Sequence, residues 1–169
     1  MRNTFKSKTL LTAIMCLIAV PSLCSAGDTV FFVVRHAEKA SMDGDPPLSS
    51  AGEKRAGQLR QTLEHLNVTA IYHTEFVRSK ATAQPLAAKM NITPEKYADP
   101  TQAWIDDVVT KQKGKRTLIV GHSDTVHTIV GRLTNTTIQE IGDHYDNLFI
   151  VVISDDSKSV VRLKYGEPN

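Results

Sequence analysis

Thr29-Val-Phe-Phe-Val-Val34 is a continuous β-branched and aromatic run. Such a run predicts a strand buried on both faces, as in a parallel sheet. Ala70-Ile-Tyr-His73 and Thr117-Leu-Ile-Val120 read as further strands. Between them the apolar spacing changes to that of helices. Ser50-Ala-Gly-Glu53 resembles a capping box, and Ala56, Leu59, Leu63 and Leu66 recur on one helical face. A second helix is predicted over 78–90, bent near Pro85. A third is predicted over 103–110 and a fourth over 125–133. Leu148–Ile153 and Val160–Tyr165 flank a polar turn too short for a crossover, so they should pair antiparallel. Strands alternating with helices predict a three-layer α/β sandwich with a mostly parallel central sheet and an antiparallel closing strand pair.

The first 26 residues have a different pattern. Arg2, Lys6 and Lys8 form a basic head without acids. An apolar run from Leu10 to Val20 follows, then Pro21, Ser22 and the small residues Ser25 and Ala26. The apolar run falls short of the roughly 20 residues a membrane span needs. Residues 1–26 read as a signal peptide cleaved after Ala26, and residues 27–169 as one domain. The expected location is periplasmic or secreted, with no stable membrane insertion after cleavage.

That division changes the charge. The whole chain carries 20 Lys and Arg against 18 Asp and Glu. Three of the cations lie in the leader, so the domain is slightly acidic, and charge implies no nucleic-acid partner. Cys16 and Cys24 are both in the leader. The domain therefore has no disulfide framework, thiolate metal site or cysteine nucleophile. No helical His pair with a carboxylate suggests a zinc site, so no metal or other cofactor is expected.

Three strand ends carry polar groups. The first delivers Arg35 and His36, the second leads through Thr74 to Arg78, and the third delivers Gly121 and His122. All three are strand-to-helix turns, so they share one edge of a parallel sheet, where open α/β folds hold ligands. Helix N-termini attract anions there. Two guanidiniums add forked donors that match phosphate oxygens. The set describes a phosphate site with a histidine nucleophile.

These motifs resemble those of the histidine phosphatase superfamily, also called phosphoglycerate mutase-like. The resemblance rests on Arg35-His36, on Thr74-Glu-Phe-Val-Arg78-Ser-Lys-Ala-Thr82-Ala83 and on Gly121-His122. Pro47-Leu48-Ser49 to Gly52 is similar to the start of that family's first helix. The resemblance implies in-line attack by His36 on phosphorus and a phosphohistidine intermediate. It implies that Arg35, Arg78 and His122 surround the phosphoryl oxygens, without a metal.

The general acid is where the chain departs from that family. Many members place a glutamate some 20-odd residues after the second arginine, and here that stretch reads Ala98-Asp99-Pro100-Thr101-Gln102. Asp124 is the first candidate acid, with an alternative as a helix N-cap. Glu38 is the second, with an alternative as the partner of Lys39 or Arg35. Asp99 precedes a proline and suits a turn. His65, His73 and Trp104 read as structural, and so first do His127 and His144-Tyr145-Asp146-Asn147, with a place beside the pocket for His127 and in its rim for the loop as the alternatives. Asn67, Asn91 and Asn135 head glycosylation sequons that matter only in a eukaryotic secretory host.

The function expected from these readings is an exported phosphoric monoester hydrolase of a small branch of that superfamily. Its substrate would be a small-molecule or glycolipid phosphoester. No large insertion separates His36 from Arg78, so the pocket should be open enough for bulky esters. The alternative is a non-catalytic phospho-ligand binding module of the same fold.

Overall fold

The computed structural model describes residues 27–168. The leader predicted over 1–26 lies outside the described residues. Six strands and four helices follow in the order β1 (Thr29–Arg35), α1 (Ser50–Leu63), β2 (Ala70–His73), α2 (Val77–Met90), β3 (Glu95–Lys96), α3 (Gln102–Lys111), β4 (Arg116–Gly121), α4 (Val126–Thr134), β5 (Asn147–Ile153) and β6 (Lys158–Lys164). They form one sheet in the order β3-β2-β4-β1-β5-β6. The first four neighbours run parallel, and β5 is antiparallel to both β1 and β6.

The alternation of β1 explains the layers. Val30, Phe32 and Val34 face one core with Leu59, Leu63, Leu86, Leu118 and Val120, beneath α1 and α2. Phe31 and Val33 face the other with Ile105, Val108, Ile119, Ile129, Leu133 and Phe149, beneath α3 and α4. All seven residues of β1 are buried, as a strand covered on both faces requires. Among the described residues no helix is long and apolar enough to cross a membrane.

Several boundaries differ from the sequence pattern. The cap of α1 is Ser49, whose side chain accepts from Gly52 N at 3.1 Å, one residue before the expected box. Tertiary pairing decides this, because Ser49 N donates to Glu38 O at 2.9 Å and holds Ser49 extended. The helix ends at Leu63, three residues early, and Asn67 at φ 52° turns the chain toward β2. Helix α2 continues through Pro85 to Asn91, a left-handed cap. The sequence pattern omits β3, whose two exposed residues pair with Tyr72 and His73.

Candidate active site

The register of β1 against β4 sets Arg35 opposite Gly121. His36 N then donates to Gly121 O at 2.8 Å, so the two histidines leave adjacent strands side by side. Their rings meet edge to face with centroids 5.1 Å apart. Gly121 is required where it stands, since a Cβ would lie 2.9 Å from Thr125 Oγ1. Thr125 Oγ1 also accepts from His122 N at 2.8 Å, fixing the turn into α4.

His36 is held in one tautomer. Its Nδ1–H donates to Ala37 O at 2.8 Å, because a carbonyl can only accept. The lone pair is therefore on Nε2. Arg78 Nε donates to that nitrogen at 3.2 Å. Burial lowers the His36 pKa to about 3, opposed by the Ala37 hydrogen bond and reinforced by the charges of His122, Arg78 and Arg35. The ring is thus neutral at physiological pH, as a nucleophile must be.

Helix α2 is fastened around this nitrogen. Ala37 N donates to Thr82 Oγ1 at 2.9 Å, and Thr82 Oγ1 donates to Arg78 O at 2.8 Å. Ser79 joins the β2–α2 turn to β4: its hydroxyl accepts from Thr74 N and donates to Val120 O, both at 3.1 Å. Asp45 accepts from Val77 N at 3.0 Å and pairs with Arg78 at 3.2 Å. That carboxylate satisfies the first amide of α2 and orients Arg78. Phe76 lies under the Arg78 guanidinium at 4.2 Å.

Arg35 is 6 % exposed, and the loop before β5 holds it. It donates to Gly142 O at 3.2 Å and to the Tyr145 hydroxyl at 3.3 Å, and stands 3.8 Å from Asp143. Its Cζ lies 4.0 Å over the Tyr145 ring. His122 shares a 2.9 Å hydrogen bond with Thr74 Oγ1 through Nε2. Its pKa is lowered, chiefly by burial and then by Arg78, while Asp124 and Glu75 pull the other way.

The structure therefore gathers Arg35, His36, Arg78 and His122 at one sheet edge. It places the candidate acids elsewhere or on the margin. Glu38 has both oxygens on Arg55 Nε, at 2.8 and 3.0 Å. Its partner is Arg55, neither Lys39 nor Arg35, and the carboxylate is committed to a structural pair. Asp124 is exposed and does not cap α4, whose N-cap is Thr125. With Ser123, Glu140, Gly142 and Asp143 it lines a cleft of about 170 Å³. Asp99 is exposed and its carbonyl accepts from Thr101 N in a turn. His73 is buried on Thr74 O, and Trp104 stacks on Tyr97 at 4.5 Å.

Asp45 and Tyr145 are the site residues that the sequence pattern did not single out as chemistry. The Asp-Pro-Pro run only signalled a loop, and Tyr145 only a rim. Neither carries a signal until the loop docks.

A family model described as the histidine phosphatase superfamily (branch 1) matches residues 31–101. Over that span the chain is similar to the histidine phosphatase superfamily.

The matched span holds Arg35, His36 and Arg78. The histidine phosphatase fold itself extends well past it. The mycobacterial glucosyl-3-phosphoglycerate phosphatase superimposes with a TM-score of 0.66 at 11 % identity, covering 82 % of this chain and 98 % of that one. The protein histidine phosphatase SixA, solved with tungstate, gives a TM-score of 0.65 at 14 % identity, covering 80 % and 96 %. Phosphoserine phosphatase from Entamoeba histolytica, solved with 3-phosphoglyceric acid, gives 0.61 at 14 % identity, covering 82 % and 97 %. No curated protein matches this sequence.

Proposed function

We propose that this chain is an exported phosphatase that hydrolyses a phosphomonoester through a phosphohistidine on His36. The observation that carries the reading is the Arg78 Nε to His36 Nε2 contact of 3.2 Å, with Nδ1 tied to Ala37 O. A neutral imidazole presents its lone pair to a guanidinium, the place where a phosphoryl oxygen would enter. In-line attack forms the Nε2–P bond and expels the leaving oxygen. Arg35, Arg78 and His122 stabilise the charge spread over the equatorial oxygens. Water then hydrolyses the intermediate and restores His36. The arginines supply the charge neutralisation that a metal supplies in other phosphoryl-transfer sites, so the reaction is metal-independent.

Export rests on the basic head and apolar run of residues 1–26, which suit a signal peptide. A periplasmic or secreted enzyme meets phosphoesters outside the cytosol, small molecules or glycolipids among them. The solved neighbours named above include phosphatases of small phosphorylated molecules, which supports a phosphoester as substrate.

The experiment is hydrolysis of p-nitrophenyl phosphate in EDTA by residues 27–169, beside His36→Ala. Activity lost in the variant supports the reading. Activity unchanged by the variant overturns the nucleophile. No activity in either, with inorganic phosphate still raising the melting temperature of the wild type, favours the non-catalytic binding module instead.

A further inference from the structure

Expelling an alkoxide needs a proton at the leaving oxygen, and the carboxylates near His36 are poorly placed to give it. Glu38 is bound to Arg55, and Asp45 to Val77 N and Arg78. Asp124 is exposed, and the side chain of Asp143 is wholly so. A phenol is better placed. The Tyr145 ring lies 5.9 Å from the His36 ring, and its hydroxyl oxygen accepts from Arg35 at 3.3 Å.

We propose that Tyr145 is the general acid of the first phosphoryl-transfer step and the base of the second. This rests on the phosphatase reading above. A phenol carries a hydroxyl proton to give and is far more acidic than an alkyl alcohol, so it can hand that proton to a leaving alkoxide. The guanidinium of Arg35 stands on its oxygen and stabilises the phenolate that forms. The same guanidinium would hold a phosphoryl oxygen, which brings the leaving oxygen into the neighbourhood of the phenol.

The steps balance. In the first, the His36 Nε2–P bond forms, the P–O bond breaks, and the Tyr145 Oη proton passes to the leaving oxygen. In the second, water attacks phosphorus and gives its proton to the phenolate. The Nε2–P bond breaks and its electron pair returns to His36.

The loop is built to hold the phenol still. Gly142, at φ 60°, gives its carbonyl to Arg35 at 3.2 Å. On the other side, Asp146 is buried, pairs with Lys164 at 2.6 Å and accepts from Tyr165 N at 2.9 Å through its backbone carbonyl. Tyr145 is thus fixed between β1 and β6, and a general acid needs such a fixed position.

The test compares Tyr145→Phe with Asp124→Asn in the full chain, on p-nitrophenyl phosphate and on glycerol 2-phosphate. Tyr145→Phe keeps the ring over Arg35, and an unchanged inhibition constant for inorganic phosphate would show the site intact. On the alkyl ester its kcat should fall about 100-fold, the low end for general acid catalysis. On p-nitrophenyl phosphate, whose leaving group needs no proton, the loss should stay within a few-fold. Equal losses on both esters, no loss on either, or the leaving-group-dependent loss appearing in Asp124→Asn instead, would overturn the assignment. Those outcomes leave the nucleophile standing. Activity that survives His36→Ala would remove the phosphatase reading and this proposal together.

Discussion

The Nε–H of Arg78 points at Nε2 of His36 across 3.2 Å, so the cation and the imidazole lone pair share one small volume. A bound phosphoryl group would enter between them, receiving a bond from one and charge neutralisation from the other. Arg78→Lys removes the forked donor and cannot reproduce its direction. We expect kcat on p-nitrophenyl phosphate to fall about 100- to 1000-fold, the scale of losing one preorganised donor. His36→Ala should abolish turnover while calorimetry still detects inorganic phosphate. A kcat for Arg78→Lys near wild type would mean that the guanidinium is not a transition-state ligand.

The depressed pKa of His36 makes a prediction about pH. The folded value is about 3 against an ordinary 6.5, so between those values the unfolded chain binds the extra proton. Stability therefore rises with pH through that window and is flat above it as far as His36 is concerned. His122 is shifted in the same direction. Asp146 has a pKa lowered from 3.8, so its own contribution is lost only at more acid pH. Melting temperatures should decline from about pH 6.5 to pH 4. His36→Ala should flatten that decline, and an unchanged slope would contradict the neutral buried ring.

Glu38 and Arg55 give a contrast between stability and activity. Arg55 is 4 % exposed and pairs with Glu38 at 2.7 Å. Removing one partner leaves a buried charge, which typically costs about 3–5 kcal/mol for a fully buried pair. Glu38 is part-exposed, so Glu38→Gln should cost less, about 1–3 kcal/mol, the range for leaving a buried polar group unsatisfied. Chemical denaturation would read the loss, while kcat of the folded enzyme stays near wild type. A large fall in kcat on alkyl esters with stability intact would return Glu38 to the acid role.

Gly52 is a steric requirement. A Cβ at this position would lie 2.1 Å from Glu38 O, so Gly52→Ala must push α1 away from the segment that follows His36. Overpacking of this kind costs about 1–3 kcal/mol. We expect a lower melting temperature together with reduced kcat, because Glu38 belongs to the same short segment as His36. An alanine variant with wild-type stability would mean that the helix start is softer than its packing implies.

Much of the site was legible because its residues follow strands. A run such as Val30–Val34 has one plausible burial, and the polar residues that end it must emerge at the sheet edge. The same logic located Arg78 and His122. Arg55 was not legible, because an arginine between Lys54 and Ala56 reads as a solvated helix position until Glu38 folds onto it. Tyr145 and Asp45 sit in loops, where no periodicity reports direction. The two residues of β3 are too few and too exposed to make a pattern.

The strand order carries a consequence for how the site comes into being. Strand β4 lies between β1 and β2, both of which precede it in the chain. His36 and Arg78 are therefore held apart from a finished pocket until a later segment threads between their strands and brings His122. A fragment ending at residue 101, where the family match stops, would carry His36 and Arg78 without the strand that completes their surroundings. Acquiring the sheet and acquiring reactivity would then be a single late event, so a partly folded chain would be chemically silent.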